Sequence, residues 1–243
     1  MNTKYGIDAP YVVRNLFLFG FIALALSWPV FWIESPVWFW IAFSYAATTA
    51  LTLLAFGVWM VYSAWVVKPK VLSRLLDKFA LKEDEILLDL GCGRGLLMIE
   101  AAKRLTQGKA FGVDLWIGKD QSGNRMEAAW DNAQEEGVGD RIEIHTADIR
   151  SLPFPDASFD AVVSSLVIHN ICQKREREKA LSEMLRVLKP GGRFFLLDLH
   201  YGKEYAAFLN QTKQAEAACS LSGYYYCLPV RVVQGKKLDI ETA

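Results

Sequence analysis

Charge of one sign is what this sequence most lacks. Its 27 lysines and arginines offset 27 aspartates and glutamates, and there is no long basic run, so the electrostatic footprint of a nucleic-acid-binding chain is missing. The charges from Lys174 to Lys179 are mixed in sign, the pattern of a solvated helix face. Cysteine is scarce as well. Cys92, Cys172, Cys219 and Cys227 include no C-x-x-C pair and no metal-ligand spacing, which argues against a metal centre. There is no internal repeat and no low-complexity linker, and the composition carries no signal for an oligomeric state.

Charge is also absent over two long stretches. None occurs from Asn15 to Ile33, and after Glu34 none occurs until Lys68. About 20 apolar residues in a helix cross the roughly 30 Å hydrocarbon layer of a bilayer. The expectation is therefore a membrane hairpin, with spans over about residues 12–33 and 40–66. Trp28, Trp32, Trp38 and Trp40 flank the Glu34-Ser35-Pro36 turn, and Trp59, Tyr62 and Trp65 approach the other end, as in an interfacial aromatic belt. Pro29 should end or kink the first helix, while Gly20, Ala23, Ala46, Ala47 and Ala50 permit close helix contact. Lys4 and Arg14 precede the pair and Lys68, Lys70 and Arg74 follow it, so by the positive-inside rule both ends, and the domain beyond, face the cytoplasm. A cleaved signal peptide fits less well, because the apolar region is too long and no small-x-small site follows it. A soluble protein that buries the hairpin in its own core is the other alternative. The chain thus divides into residues 1–67, the hairpin, and residues 68–243, a domain.

Within that domain the run Ile86 to Gly95 reads ILLDLGCGRG: an apolar strand ending in Asp89, then Gly91, Gly93 and Gly95, then a helical pattern. Such a turn needs positive φ and a backbone that a ligand can approach without meeting a Cβ. The dinucleotide fingerprint G-x-G-x-x-G requires glycine where Leu96 stands, which disfavours an NAD(P)-dependent oxidoreductase. Helical periodicity recurs at Val71 to Phe79, Leu96 to Leu105, Met126 to Glu136 and Arg175 to Leu188, with strands between. The alternation predicts an α/β fold with a mainly parallel sheet and helices on both faces, whose ligands bind beyond the carboxyl ends of the strands. The tail from Lys213 to Lys237, including Tyr224, Tyr225 and Tyr226, has room for two closing strands.

The D-x-G-x-G-x-G pattern resembles motif I of the class I S-adenosylmethionine-dependent methyltransferases. Four further landmarks follow in that family's order: Ala110 to Asp114, Ile142 to Ile149, Phe159 to Ser164, and LRVLKPGGRFF from Leu185 to Phe195 with its Pro190-Gly191-Gly192 turn. The resemblance covers about residues 71–233 and implies a Rossmann-like methyltransferase fold with S-adenosyl-L-methionine as cofactor. By that resemblance Asp89 and the turn backbone at Gly91, Cys92, Gly93 and Gly95 hold the methionine part. Asp114, with Leu115 beside it, takes the ribose, Asp148 and the Ile149 amide take the adenine, and Ser164, at the end of the fourth strand, is a further cofactor contact. Cys92 is expected to be a small filler next to the cofactor.

The acceptor side is read from what lies near those strand ends. His169 follows the fourth strand and His200 the fifth, and either can serve as a base for a phenol, thiol or hydroxyl; a structural hydrogen bond is the alternative for each. His145, within the third strand, is read as structural. The loop of residues 115–125 is longer than the family's usual connection and carries Trp116 and Asn124, candidate lid or substrate contacts together with Asn170. The Asn/Asp-Pro-Pro-aromatic motif of amide- and amine-nitrogen methylation is replaced by Ser164-Ser165-Leu166-Val167, which argues against nucleic acid as acceptor. The sequence thus suggests methyl transfer to a lipophilic or membrane-accessible small molecule: a lipid, quinone, phenol or thiol. The alternatives are a methyltransferase acting on a membrane-protein neighbour, an NAD(P)-dependent oxidoreductase, and a binding module without catalysis.

Overall fold

The computed structural model describes residues 3–225 and 228–239. Tyr226 and Cys227, named above, lie outside the described residues.

Seven strands form one sheet in the order β3-β2-β1-β4-β5-β7-β6. They are β1 (Ile86–Leu90), β2 (Lys109–Asp114), β3 (Ile142–Thr146), β4 (Phe159–Ser165), β5 (Leu188–Asp198), β6 (Ala215–Tyr225) and β7 (Leu228–Lys237). The first five are parallel, while β7 runs antiparallel to both β5 and β6. Strands buried on both faces read as unbroken apolar runs because successive side chains point to opposite sides. Leu87, Val163 and Phe195 accordingly join one core cluster, and their neighbours Leu88, Val162 and Phe194 join the other.

Helices α3 (Lys68–Phe79) and α4 (Leu96–Ala102) supply the first cluster; α6 (Lys174–Val187) and α7 (Gly202–Gln211) supply the second. Helix α5 (Met126–Glu135) packs through Ala133 on the first. The Pro190-Gly191-Gly192 segment lies within β5, where the pairing with β4 slips between Phe159 and Ala161. Helix α7 is an element that the sequence pattern did not announce.

The N-terminal helices pair as an antiparallel hairpin, but their bounds differ from expectation. Helix α1 spans Pro10–Leu26 and not residues 12–33. Ser27 Oγ donates to Leu24 O at 2.6 Å, and a 3-10 turn at Trp28–Trp32 containing Pro29 replaces the last helical turns. Helix α2 starts early, at Pro36, because proline in the first helical position needs no amide partner. It ends at Tyr62 and does not stop the rod. A π turn at Ser63–Val67 carries it into α3, giving a continuous helix of 44 residues from Pro36 to Phe79. Among the described residues this rod is long and apolar enough to cross a bilayer, whereas α1, with 17 residues, is shorter than a full span.

Gly20 and Ala50 are buried where the two helices meet. A Cβ on Gly20 would lie 2.8 Å from the Leu54 side chain, and one on Gly57 would lie 3.1 Å from the Phe17 ring. The outer faces are uncovered, with Trp32 80% and Tyr45 76% exposed. The hairpin is therefore not buried in the protein's own core.

Candidate active site

The turn after β1 has the backbone its glycines require: φ is +73° at Gly91, +54° at Gly93 and +86° at Gly95. A Cβ on Gly91 would lie 2.4 Å from Val167 Cγ2, and one on Gly93 would lie 2.5 Å from Gln121 Oε1. Both positions are closed to larger residues by geometry as well as by conformation. Cys92 is the expected filler, since its sulfur stands 2.8 Å from where Gly112 would carry a Cβ. Burial pushes its thiol pKa well up, so it stays protonated.

Asp89 is 1% exposed. Its Oδ2 accepts from the Met98 amide at 3.1 Å at the start of α4, while Oδ1 is buried with no partner. Burial drives its pKa up to about 8, and nearby Asp114 adds to the effect.

Asp114, at the end of β2, organises the turn. Its carboxylate accepts from the amides of Gly93 at 2.9 Å and Trp116 at 2.6 Å, and from Asn124 Nδ2 at 3.1 Å. The loop of residues 115–125 folds over this site. Gln121 Oε1 accepts the Arg94 amide at 2.9 Å, while its Nε2 donates to the Tyr5 carbonyl at 3.1 Å. The short segment before α1 pins the loop down: Asp8 and Gln121 form an antiparallel bridge, the Ser122 amide donates to Ile7 O, and the Ala9 amide donates to Asp120 O. Tyr5 is buried beside it, and Asp8 pairs with Lys68 at 2.8 Å. Trp116 turns away from the cavity, with φ +60° and its ring nitrogen donating to Thr146 at 2.8 Å.

Beyond β3, Arg150 clasps Asp148 at 2.6 Å, holding its pKa below the usual carboxylate range, and bridges to Glu176 at 2.9 Å. His145 pairs with Glu143 at the exposed edge and stacks on Phe111, consistent with a structural role. Ser164 departs from expectation. Its hydroxyl donates to Leu90 O at 2.8 Å in the sheet interior, and the cavity is lined by the next residue, Ser165. The alternation of β4 decides this, since successive side chains point to opposite faces of the sheet.

His169 stands on a 3-10 turn after β4, and its Nδ1 contacts Oδ1 of buried Asp198, the last residue of β5. Asp198 is held in turn by the amides of His169 at 3.0 Å and Leu199 at 2.8 Å, and by Tyr205 Oη at 3.3 Å. His200 is exposed and outside the cavity, with its ring 6.1 Å from that of His169. Sequence reasoning gave Asp198 no role. The available signal was that it closes an apolar strand run as Asp89 and Asp114 do.

One cavity of about 970 Å³ brings these groups together. Asp89, Gly91, Cys92, Gly93, Asp114, Leu115, Asn124, Asp148, Ile149, His169 and Asn170 all line it; Ser164, His200, Trp116 and Gly95 do not. Tyr11, Val12, Phe56 and Met60 from the hairpin also line it, which no sequence signal foretold. The residues fit a cofactor with a cationic amino-acid end. A buried carboxylate oxygen without a partner, beside glycines that keep side chains out, is what an ammonium group completes.

Comparisons agree with this geometry. Residues 88–196 match the family described as methyltransferase domain. A demethylmenaquinone methyltransferase of Symbiobacterium thermophilum is 36% identical over 124 residues, 51% of this chain and 45% of that protein. A sterol 4-C-methyltransferase of Caenorhabditis elegans is 32% identical over 154 residues, 60% of this chain and 42% of that protein. The chain therefore spans less than half the length of these two curated relatives. The crystal structure of an S-adenosylmethionine-dependent methyltransferase from Aquifex aeolicus shares the fold, with a TM-score of 0.56 at 19% identity over 69% of this chain and 89% of that one. Residues 88–196 thus match a methyltransferase domain, and the fold they belong to is shared with S-adenosylmethionine-dependent methyltransferases.

Proposed function

We propose that this protein transfers a methyl group to a lipophilic small molecule that carries a removable proton, at the surface of a membrane. The observation that carries this reading is the shared cavity, lined by the cofactor turn, by His169 and by the foot of an apolar hairpin. The names of the two relatives point to lipophilic acceptors of the same kind.

Bound S-adenosylmethionine supplies a methyl group already activated on a sulfonium sulfur. Asp89 and the turn amides hold its methionine end, Asp114 its ribose, and the segment Asp148-Ile149 its adenine. The contact of Nδ1 with Asp198 selects the tautomer protonated there, which leaves Nε2 of His169 to take the acceptor's proton. Asp198 stabilises the imidazolium that forms, as an orienting carboxylate does in hydrolytic triads. The pinned loop and the segment Tyr5 to Ala9 cover the turn and exclude water.

The apolar outer faces of α1 and α2 support insertion of the hairpin into a bilayer. Helix α2 alone, at 27 residues, is about 40 Å long. Lys70, Arg74 and Lys78, exposed on α3, support an orientation with the catalytic domain on the cytoplasmic side.

The test is untargeted metabolite and lipid profiling of cells with and without the gene product, tracking a mass gain of one methylene. Native membranes given methyl-labelled cofactor separate the outcomes: label in solvent-extractable lipid supports this reading, and label confined to a protein band refutes it in favour of a membrane-protein acceptor.

A further inference from the structure

The cavity does not end at the methyltransferase fold. Its far lining comes from the first turn of α1 and the last two turns of α2, where Tyr11, Val12, Phe56 and Met60 join Leu72 of α3. These residues grade from the surface inward: Tyr11 and Val12 are exposed, Phe56 is half-buried, and Met60 and Leu72 are buried. Their side chains are apolar apart from the Tyr11 hydroxyl, whereas Asp89 and Asp114 stand at the glycine turn. Asp8 and Lys68, paired at 2.8 Å and lining the same space, add a polar contact where the hairpin joins the domain.

We infer that this end is the subsite for a hydrocarbon chain on the methyl acceptor, so that the hairpin forms part of the substrate site as well as an anchor. The inference rests on the function proposed above and names the acceptor class more narrowly: a compact head bearing the reactive proton, joined to an acyclic hydrocarbon tail. A cavity of about 970 Å³ is about three times the lower bound of roughly 300 Å³ for ligand pockets, so it has room for an acceptor beside the cofactor. Tyr11 and Val12 both line the cavity and are exposed on the hairpin, so a tail that enters along them passes from the bilayer to the cavity without crossing water. Met60 suits such a guest, because its unbranched thioether follows irregular apolar shapes.

The test uses the full chain in phospholipid nanodiscs with S-adenosylhomocysteine, and a long-chain alkylphenol carrying a diazirine at its chain end. After photolysis, peptide mapping is expected to place adducts on Tyr11, Val12, Phe56 or Met60, and excess unlabelled alkylphenol should suppress them. Val12→Trp, at an exposed position, should lower that labelling about tenfold, the effect of displacing the chain at a cost of about 1.4 kcal/mol, while calorimetric binding of S-adenosylhomocysteine stays unchanged. Adducts confined to outward residues such as Phe19 and Trp38, adducts that unlabelled alkylphenol does not suppress, or no adducts on the hairpin overturn the subsite. The wild-type map decides this even if the variant does not fold. Failure to bind S-adenosylhomocysteine sinks the functional reading instead, and is read separately.

Discussion

His169 and Asp198 come from the ends of adjacent parallel strands and meet through Nδ1 and Oδ1, with the carboxylate buried and held by two amides and a tyrosine hydroxyl. A histidine whose Nδ1 is held against a buried carboxylate has its ring fixed in one orientation. Asp198→Asn should lower turnover by about 10²-fold or more, and His169→Ala by a similar factor, within the usual range for general bases. The double variant should be little worse than either single one, because the two act as a unit. Steady-state kinetics with S-adenosylhomocysteine binding as the control checks this, and full additivity of the two losses refutes the pairing.

Asp114 bonds the turn and is also the proposed ribose ligand. Asp114→Ala should weaken S-adenosylhomocysteine binding by roughly 1.5–3 kcal/mol for each charge-assisted hydrogen bond lost. Isothermal calorimetry measures the loss, and undiminished affinity removes Asp114 from the binding site.

The pKa of Asp89, driven up to about 8 by burial, makes a pH prediction. Between about pH 4 and that value the native protein binds a proton that the unfolded chain does not. The stabilisation from this group is therefore full at low pH and is lost as pH rises through about 8. An ammonium placed against the carboxylate favours its ionised form. Binding of S-adenosylhomocysteine at pH 7 should then release a proton, and affinity should rise with pH over that range. Calorimetry in buffers of different ionisation enthalpy detects the release; Asp89→Asn should abolish it, and its absence in the wild-type protein refutes the contact.

Residues 3–9 pin the loop over the glycine turn through Tyr5, Ile7, Asp8 and Ala9. Removing residues 1–9 while keeping the hairpin should loosen residues 115–125. Limited proteolysis within that loop should speed up several-fold and S-adenosylhomocysteine affinity should fall, since local stability follows local contacts. An equally resistant loop shows that Gln121 and Asp114 hold it unaided.

If the hairpin is embedded in a bilayer, alkaline carbonate should leave the chain in the membrane pellet and detergent should release it. Recovery in the carbonate supernatant refutes insertion and returns the exposed tryptophans to another role.

Period and punctuation carried most of the fold. Apolar runs such as Ile86 to Leu88 specify strands covered on both faces, and glycines that must take positive φ specify the turn at Gly91 to Gly95, because both constraints are local. Asp89 and Asp114 were legible for the same reason, each being the polar residue that closes an apolar strand. Other assignments depend on which way a side chain faces or on what meets it from a distant part of the chain. Ser164 and Ser165 lie on opposite faces of β4 and only Ser165 lines the cavity, a choice set by how the strand's pleat sits over the site. His169 and not His200 faces the cofactor turn, because Asp198 captures its ring. The union of Tyr11, Val12, Phe56 and Met60 with the glycine turn has no local signature. It follows from packing between segments far apart in sequence, whose apolar residues look alike until the chain brings them to one wall.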